Sequence, residues 1–480
     1  METIEEQFRK LKPAYGKIID RLWLNYLLED FKGKKEIANL LPILSMKGLN
    51  ESYDIEKTNL VPPTEKDAYG EFYVGDVQYA DKILYPFGLR EDDWIQHVSI
   101  FGRSGSGKTN LVIGIIKSFL EKKKPFLVFD WKKNYRDLLA ESYGKNIKVF
   151  SIGRDVSPFR FNPLIPPPCT DPEVWLKKLI EIISHAYFLG EGVMYLLQKT
   201  LDAIYRESGL YEGKAYTYPT MRDVLKRLYT MKLTGRQSLW WTSTIRAVYS
   251  LCFGEVGKVF CVDKKIPIES LLNENVIFEL DSLTNADKTF FIEALLLWIH
   301  HYRLANGKRE EFKHAIIIEE AHHILLKKKQ EVKGEETITD IILREIRELG
   351  ESLVIVDQHP SLISPTAIGN TFCTIAMNLK HSNDISVIDK AMLIDKKEYL
   401  NRLPIGYGIV KLQGRYFDPF LIKIPLSPIK KGGIKDIDIK NRMKGCFRYF
   451  SPLSEGNMNK FDGISGVSHK DKVSNMKRHF

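Results

Sequence analysis

The chain has 480 residues, 44% of them hydrophobic and 28% charged, with a net charge of +10. That balance is ordinary for a soluble globular protein with core enough for two or three domains. No apolar run approaches the roughly 20 residues of a membrane helix. The acidic start Met1-Glu-Thr-Ile-Glu-Glu6 lacks the basic-then-apolar layout of a signal peptide, so a cytoplasmic protein with no membrane anchor is expected. The cysteines Cys169, Cys252, Cys261, Cys373 and Cys446 show no CxxC spacing, and scattered reduced thiols are expected in place of a zinc site or a disulfide framework. The positive charge fits a polyanionic partner. However, 12 Lys/Arg against 5 Asp/Glu lie between Lys430 and Phe480, which leaves the rest of the chain nearly balanced.

In chain order, residues 1–49 read as helical, with Ile18, Leu22, Leu24, Leu27 and Leu28 at helical spacing. A proline-containing stretch at Val61-Pro-Pro-Thr64 leads to short strand-like pieces at 71–74 and 76–79. Together, 1–95 forms a small N-terminal region. From His97 the texture alternates. Strands are predicted at 98–101, 125–130 and 148–152, with an amphipathic helix over 110–122. Later strands are predicted at 275–280, 314–320, 352–356, 372–377 and 408–412. Their continuous apolar character marks strands buried on both faces, as in a parallel sheet covered by helices. The expected class is α/β: a core of 96–170 and 254–427, interrupted by a helical insertion at 171–253. The segment 428–480 reads as a basic, loosely packed extension.

Gly102-Arg103-Ser104-Gly105-Ser106-Gly107-Lys108-Thr109 fits G-x-x-x-x-G-K-[ST] between a strand and a helix that begins with Asn110 close behind. Glycines let backbone N–H groups turn toward a phosphate, and the helix start adds its positive dipole end. Lys108 supplies a charge for the β- and γ-phosphates, and Thr109 a hydroxyl for magnesium. ATP and Mg2+ are therefore the expected ligands. The apolar strand ending in Glu319-Glu320 has the form of a Walker B site, with Glu319 assigned to the magnesium shell and Glu320 to the attacking water.

Three further features each carry two readings. Gln358, after the apolar run 352–356, is a γ-phosphate sensor or a loop cap. Asp130, ending the strand 125–130, is a site carboxylate or a turn cap. Arg344 and Arg347, on one face of a helix, are a charged solvated face or arginines that reach a neighbouring subunit's γ-phosphate. Basic candidates for DNA contact are Lys327-Lys328-Lys329, Arg154 and Arg160, and Trp240-Trp241 with Arg236 is a stacking platform or packing within the insertion.

Three stretches resemble the HerA/FtsK branch of P-loop ATPases, and within it the HerA-like DNA translocases: His97–Asn110, Ile316–His323 and Arg344–Ser361, the last ending in Gln-His-Pro-Ser. Asn162-Pro-Leu164 is similar to conjugation and type IV secretion ATPases of the same branch. The resemblance implies a RecA-like core in a ring, usually a hexamer, with ATP between subunits and duplex DNA in the channel. It implies Gln358 as sensor, Asp130 as site carboxylate and Arg347, then Arg344, as the arginine acting in trans. It further implies a separate nuclease or effector, in DNA end processing or phage defence. The chain departs from the pattern at Glu319, where many relatives have Asp, and in its N-terminal region, which does not read as a small β-barrel. The alternatives are a conjugation-like ATPase and an ATP-gated scaffold that switches a partner enzyme.

Overall fold

A computed structural model describes residues 3–49, 60–215, 217–232, 234–264, 266–306, 309, 311–327 and 337–445. The predicted N-terminal helix is three: α1 (Ile4–Tyr15), α2 (Lys17–Leu28) and α3 (Phe31–Gly48). Two breaks cause this. Gly16 takes φ +57°, and Asp30 caps α3 by accepting from the Gly33 N–H. The three helices bury Phe8, Leu11, Ile19 and Leu41 in a small core of their own. That core is closed by Tyr79 and Ala80, at the tip of the hairpin that follows.

One sheet organises the rest of the chain. Its strands are β1 (Phe72–Tyr79), β2 (Lys82–Leu89), β3 (Val98–Phe101), β4 (Phe126–Asp130), β5 (Ile147–Ser151), β6 (Asn275–Glu279), β7 (His314–Glu319), β8 (Glu351–Asp357), β9 (Cys373–Ala376), β10 (Tyr407–Leu412) and β11 (Phe420–Lys423). Their order is β2-β1-β11-β10-β9-β3-β8-β7-β4-β6-β5. From β9 to β5 every pairing is parallel. From β9 to β2 every pairing is antiparallel. The fold is thus α/β with a mostly parallel sheet flanked by helices. Strands β3, β4 and β7 are buried along their whole length, as their unbroken apolar runs require.

Two strands were not legible in the sequence. β2 contains Pro86 and Gly88, which weaken a strand signal, and it lies at the sheet edge, where a missing N–H is tolerated. β11 is only four residues long. The hairpin β1–β2 continues the main sheet through β11, so residues 72–89 are part of the core sheet and not of a separate N-terminal unit.

The insertion is built from helices Pro172–Tyr187, Glu191–Ser208, Met221–Thr230, Arg236–Cys252 and Gly254–Phe260. Buried Asn162 joins its two ends. Its amide donates to the Pro219 and Val262 carbonyls and accepts from the Leu164 N–H. Trp240 and Trp241 are partly buried against the core, and the Trp241 indole donates to the Leu228 carbonyl.

The expectation of a loose C-terminal extension is overturned for the residues up to 445. A helix at Asp436–Met443 buries Ile439 and Met443, and Arg442 donates to the Gly144 carbonyl. Local composition concealed this, because the partners of the segment lie some three hundred residues earlier. Residues 446–480 lie outside the described residues. Among the described residues, no helix is long and apolar enough to cross a membrane.

Candidate active site

The parallel strands β3, β4, β7 and β8 deliver their C-terminal ends to one edge, where ligands collect in open α/β sheets. A cavity of about 480 Å³ opens there. One wall is the loop after β3 and the first turn of the helix Lys108–Glu121: Ser104, Gly105, Gly107, Lys108, Thr109 and Asn110. Gly105 and Gly107 stand at φ +77° and +110°, conformations that L side chains rarely adopt. The loop is tied to its surroundings by the Gly102 N–H donating to the Asp357 carbonyl and the Arg103 N–H to that of Asn378. Arg103 also donates from its side chain to Asn378 Oδ1 and to the Ser104 carbonyl, and it does not line the cavity. Lys108 lies over the loop, with Nζ 3.1 Å from the Arg103 carbonyl. Burial lowers its pKa to about 8, against the upward pull of Glu320, Asp357 and Glu319.

The opposite wall is acidic. β7 ends at Glu319, and Glu320 follows in a left-handed turn at φ +49°, uncommon for a residue with a side chain. In a straight strand, successive side chains leave by opposite faces. The turn instead lets both carboxylates line the cavity. They differ in partners. Glu319 is held by the Tyr135 hydroxyl at 2.7 Å and by the Asn134 amide, and burial raises its pKa. Glu320 sits nearer solvent and accepts from Lys132 Nζ at 2.6 Å and Gln358 Nε2 at 2.7 Å. The structure thus brings Lys108, Thr109, Asn110, Glu319, Glu320 and Gln358 together in one cleft.

Asp357 joins them, a strand-end carboxylate that the sequence reading did not single out. It ends β8 and accepts from the His322 N–H and ring and from the His359 N–H, contacts that lower its pKa despite burial. Glu320, His322 and Asp357 offer one ligand atom each within 4.8 Å of one another. The carboxylates of Glu319, Glu320 and Asp357 and the Thr109 hydroxyl line the same cavity, and such oxygen donors fit a hard divalent cation such as Mg2+, whereas His322 contributes a nitrogen and bonds to Asp357 through its ring. Lys132, Asn134, Tyr135 and His322 were also missed. Their roles come from convergence of three strand ends, which spacing along the chain does not encode.

Other predicted residues lie elsewhere. Asp130 is buried at the end of β4 and accepts three backbone N–H bonds, from Lys132, Asn134 and Tyr135. It organises the turn that presents Lys132 and Asn134, and it is not on the cavity wall. Arg344 lies on the helix Ile338–Ile346 and Arg347 just beyond it, both before β8 begins. They are therefore at the other edge of the sheet from the cleft. There His97 links the two layers. Its Nδ1 accepts the Leu353 N–H, so the Nε2–H donates to the Leu343 carbonyl on the arginine helix. Arg154 is engaged by Glu279, Asp281 and Asp436. Arg160 is half-buried, and Lys328 and Lys329 lie outside the described residues.

With this geometry established, comparison with known proteins adds the following. The family "Helicase HerA, central domain" matches residues 72–182, which span the β1–β2 hairpin and the P-loop and end within the first helix of the insertion. No curated protein matches the chain. VirB4 of Thermoanaerobacter pseudethanolicus aligns with a TM-score of 0.57 at 13% identity, over 75% of this chain and 97% of that chain. The plasmid coupling protein TrwB in complex with the non-hydrolysable ATP analogue ADPNP aligns with a TM-score of 0.57 at 13% identity, over 79% of this chain and 96% of that chain. TrwB in complex with ADP and Mg2+ aligns similarly, with a TM-score of 0.56 at 13% identity, over 79% of this chain and 96% of that chain. At such identities these likenesses speak to fold.

Fold and cleft together define a P-loop ATPase. Over residues 72–182 the chain is similar to the central domain of HerA, an ATPase of the HerA/FtsK type.

Proposed function

We propose that this ATPase is a DNA translocase or helicase motor that acts as a ring, hexameric in the manner of the HerA/FtsK branch, on duplex DNA, with a separate nuclease or effector as partner. In each cleft, the loop Gly102–Thr109 cradles the phosphates of ATP, Lys108 neutralises them, and Thr109 and Glu319 hold Mg2+. The metal, when bound, supplies positive charge at the transferring phosphoryl group. Glu320 accepts the proton of the attacking water, and Gln358 and Lys132 fix its orientation through their bonds to Oε1.

The observation that carries the ring is the placement of the arginines. Among the described residues lining the cavity there is no arginine, while Arg344 and Arg347 stand at the other edge of the sheet. Arg347, then Arg344, reaches the cleft of the next subunit, and a charge of this kind stabilises the transition state.

The test mixes two inactive proteins. Lys108→Ala lacks a working cleft and Arg347→Ala lacks the trans charge, so mixed rings contain some clefts with both and regain ATPase activity. No regain at any ratio excludes the trans arginine. Duplex DNA at low salt stimulates wild-type turnover, and the stimulation declines as salt rises. Absence of DNA binding and stimulation excludes the motor reading.

The extent of the likeness to VirB4 and TrwB favours a second reading, a conjugation-like ATPase. It predicts co-purification with membrane components and turnover independent of duplex DNA.

A further inference from the structure

A nucleotide presents three chemistries to its site: phosphates, a metal and water, and an aromatic base. The P-loop wall and the acidic wall answer the first two. The third wall of the cavity comes from the C-terminal segment, through Leu426, Ser427, Pro428, Ile429 and Lys431, with Ile113 beside it. It is the apolar part of the lining, and it adjoins the helix that starts at the P-loop. Flat rings with apolar faces bind against surfaces of this kind.

The segment 425–435 is neither helix nor strand, so its path must be set by side chains. Two clamps set it. Asn110, directly after Thr109, donates from Nδ2 to the Pro425 carbonyl at 2.8 Å and accepts from the Ser427 N–H at 2.8 Å. Asp137, on the turn after β4, accepts from the Gly432 N–H at 2.8 Å and the Ile434 N–H at 3.0 Å. Beyond the second clamp, Asp436 pairs with Arg136 at 2.8 Å and Arg154 at 2.9 Å. Both arginines also hold Glu279, buried at the end of β6. The lining residues are therefore suspended between two fixed points of the core.

We propose that Leu426, Pro428 and Ile429 form the base-binding wall of the cleft, and that Asn110 and Asp137 are positioning residues that set this wall against the P-loop. The proposal rests on the reading of the cleft as a nucleotide site. It assigns the ligand class at this wall as a nucleobase.

The experiment compares MgATP with magnesium tripolyphosphate, which carries phosphates and no base. Both are titrated calorimetrically into the full-length protein and into Asn110→Ala, Asp137→Ala and the double variant Leu426→Ser/Ile429→Ser. Each variant is expected to bind ATP about tenfold more weakly, a loss of one apolar contact's worth, while tripolyphosphate affinity stays within about twofold. Equal weakening of both ligands, or unchanged ATP affinity in all three, overturns the proposal. Leu426 is 80% exposed, so the double variant decides the matter if either clamp variant has a lowered melting temperature. Lys108→Ala separates the underlying reading. It should lose both ligands, and retention of both means that the cleft is not the nucleotide site.

Discussion

The two edges of the parallel sheet bury charge in opposite ways. At the N-terminal edge, Glu351 is fully enclosed and both its oxygens are taken, one by His314 and one by Arg303. His97 likewise spends both ring nitrogens on backbone. At the C-terminal edge, Glu319, Glu320 and Asp357 face a cavity, and Glu320 is paired only through side chains that reach in from loops. A closed network fixes where helices and strands sit. An open one leaves oxygens and charge available to a ligand.

Breaking the closed edge should cost stability most. Glu351→Ala strands Arg303 and His314 in the interior, and a loss of about 3–5 kcal/mol is expected in urea unfolding. A change below about 1 kcal/mol would show that the network does not fix the fold. Breaking the open edge should cost chemistry instead. Glu320→Gln keeps the volume and the contact to Lys132 but cannot take a proton, so turnover falls about 100-fold or more with nucleotide affinity retained. Parallel loss of stability there would erase the distinction between the edges.

The pH dependence sharpens the comparison further. Burial lowers His97 to about 4. The unfolded chain, with an ordinary histidine near 6.5, binds more protons between those values, so stability is full above about 6.5 and declines as pH falls toward about 4. His300 and His301 shift in the same direction for the same reason. Unfolding midpoints measured from pH 7 to 5 should fall, and His97→Gln should reduce the proton uptake by about one. A flat profile contradicts the closed state of His97. The smallest effect belongs to neither edge. Arg9 and Asp418 form an exposed pair, and Arg9→Ala should shift stability by less than about 1 kcal/mol.

The sequence announced the site unevenly. The P-loop and the two glutamates at the end of β7 were legible because their chemistry is local, in a glycine turn or a strand end. Gln358 was visible only as one of two readings, and its bond to Glu320 decides its partner but not its role in turnover. Asp130 was read equally as a turn cap or a site carboxylate, and its three backbone N–H donors belong to a turn. Tyr135 and the segment 425–431 left no local mark, because each acts through a neighbour distant in sequence, whereas Asp357 stood at the end of an apolar run as Asp130 does and was passed over. The helical N-terminus was legible, whereas β2 was hidden by the proline that an edge strand admits.

One feature bears on how the protein reaches its native state. The cleft draws its walls from Ser104 at one extreme and Lys431 at the other. Contacts so remote along the chain cost chain entropy before they contribute. The nucleotide site is therefore complete only when segments from most of the chain have come together. A ligand that binds only the finished cleft draws the folding equilibrium forward. Refolding yield should rise with MgATP, which makes the nucleotide a reporter of finished assembly as well as a fuel.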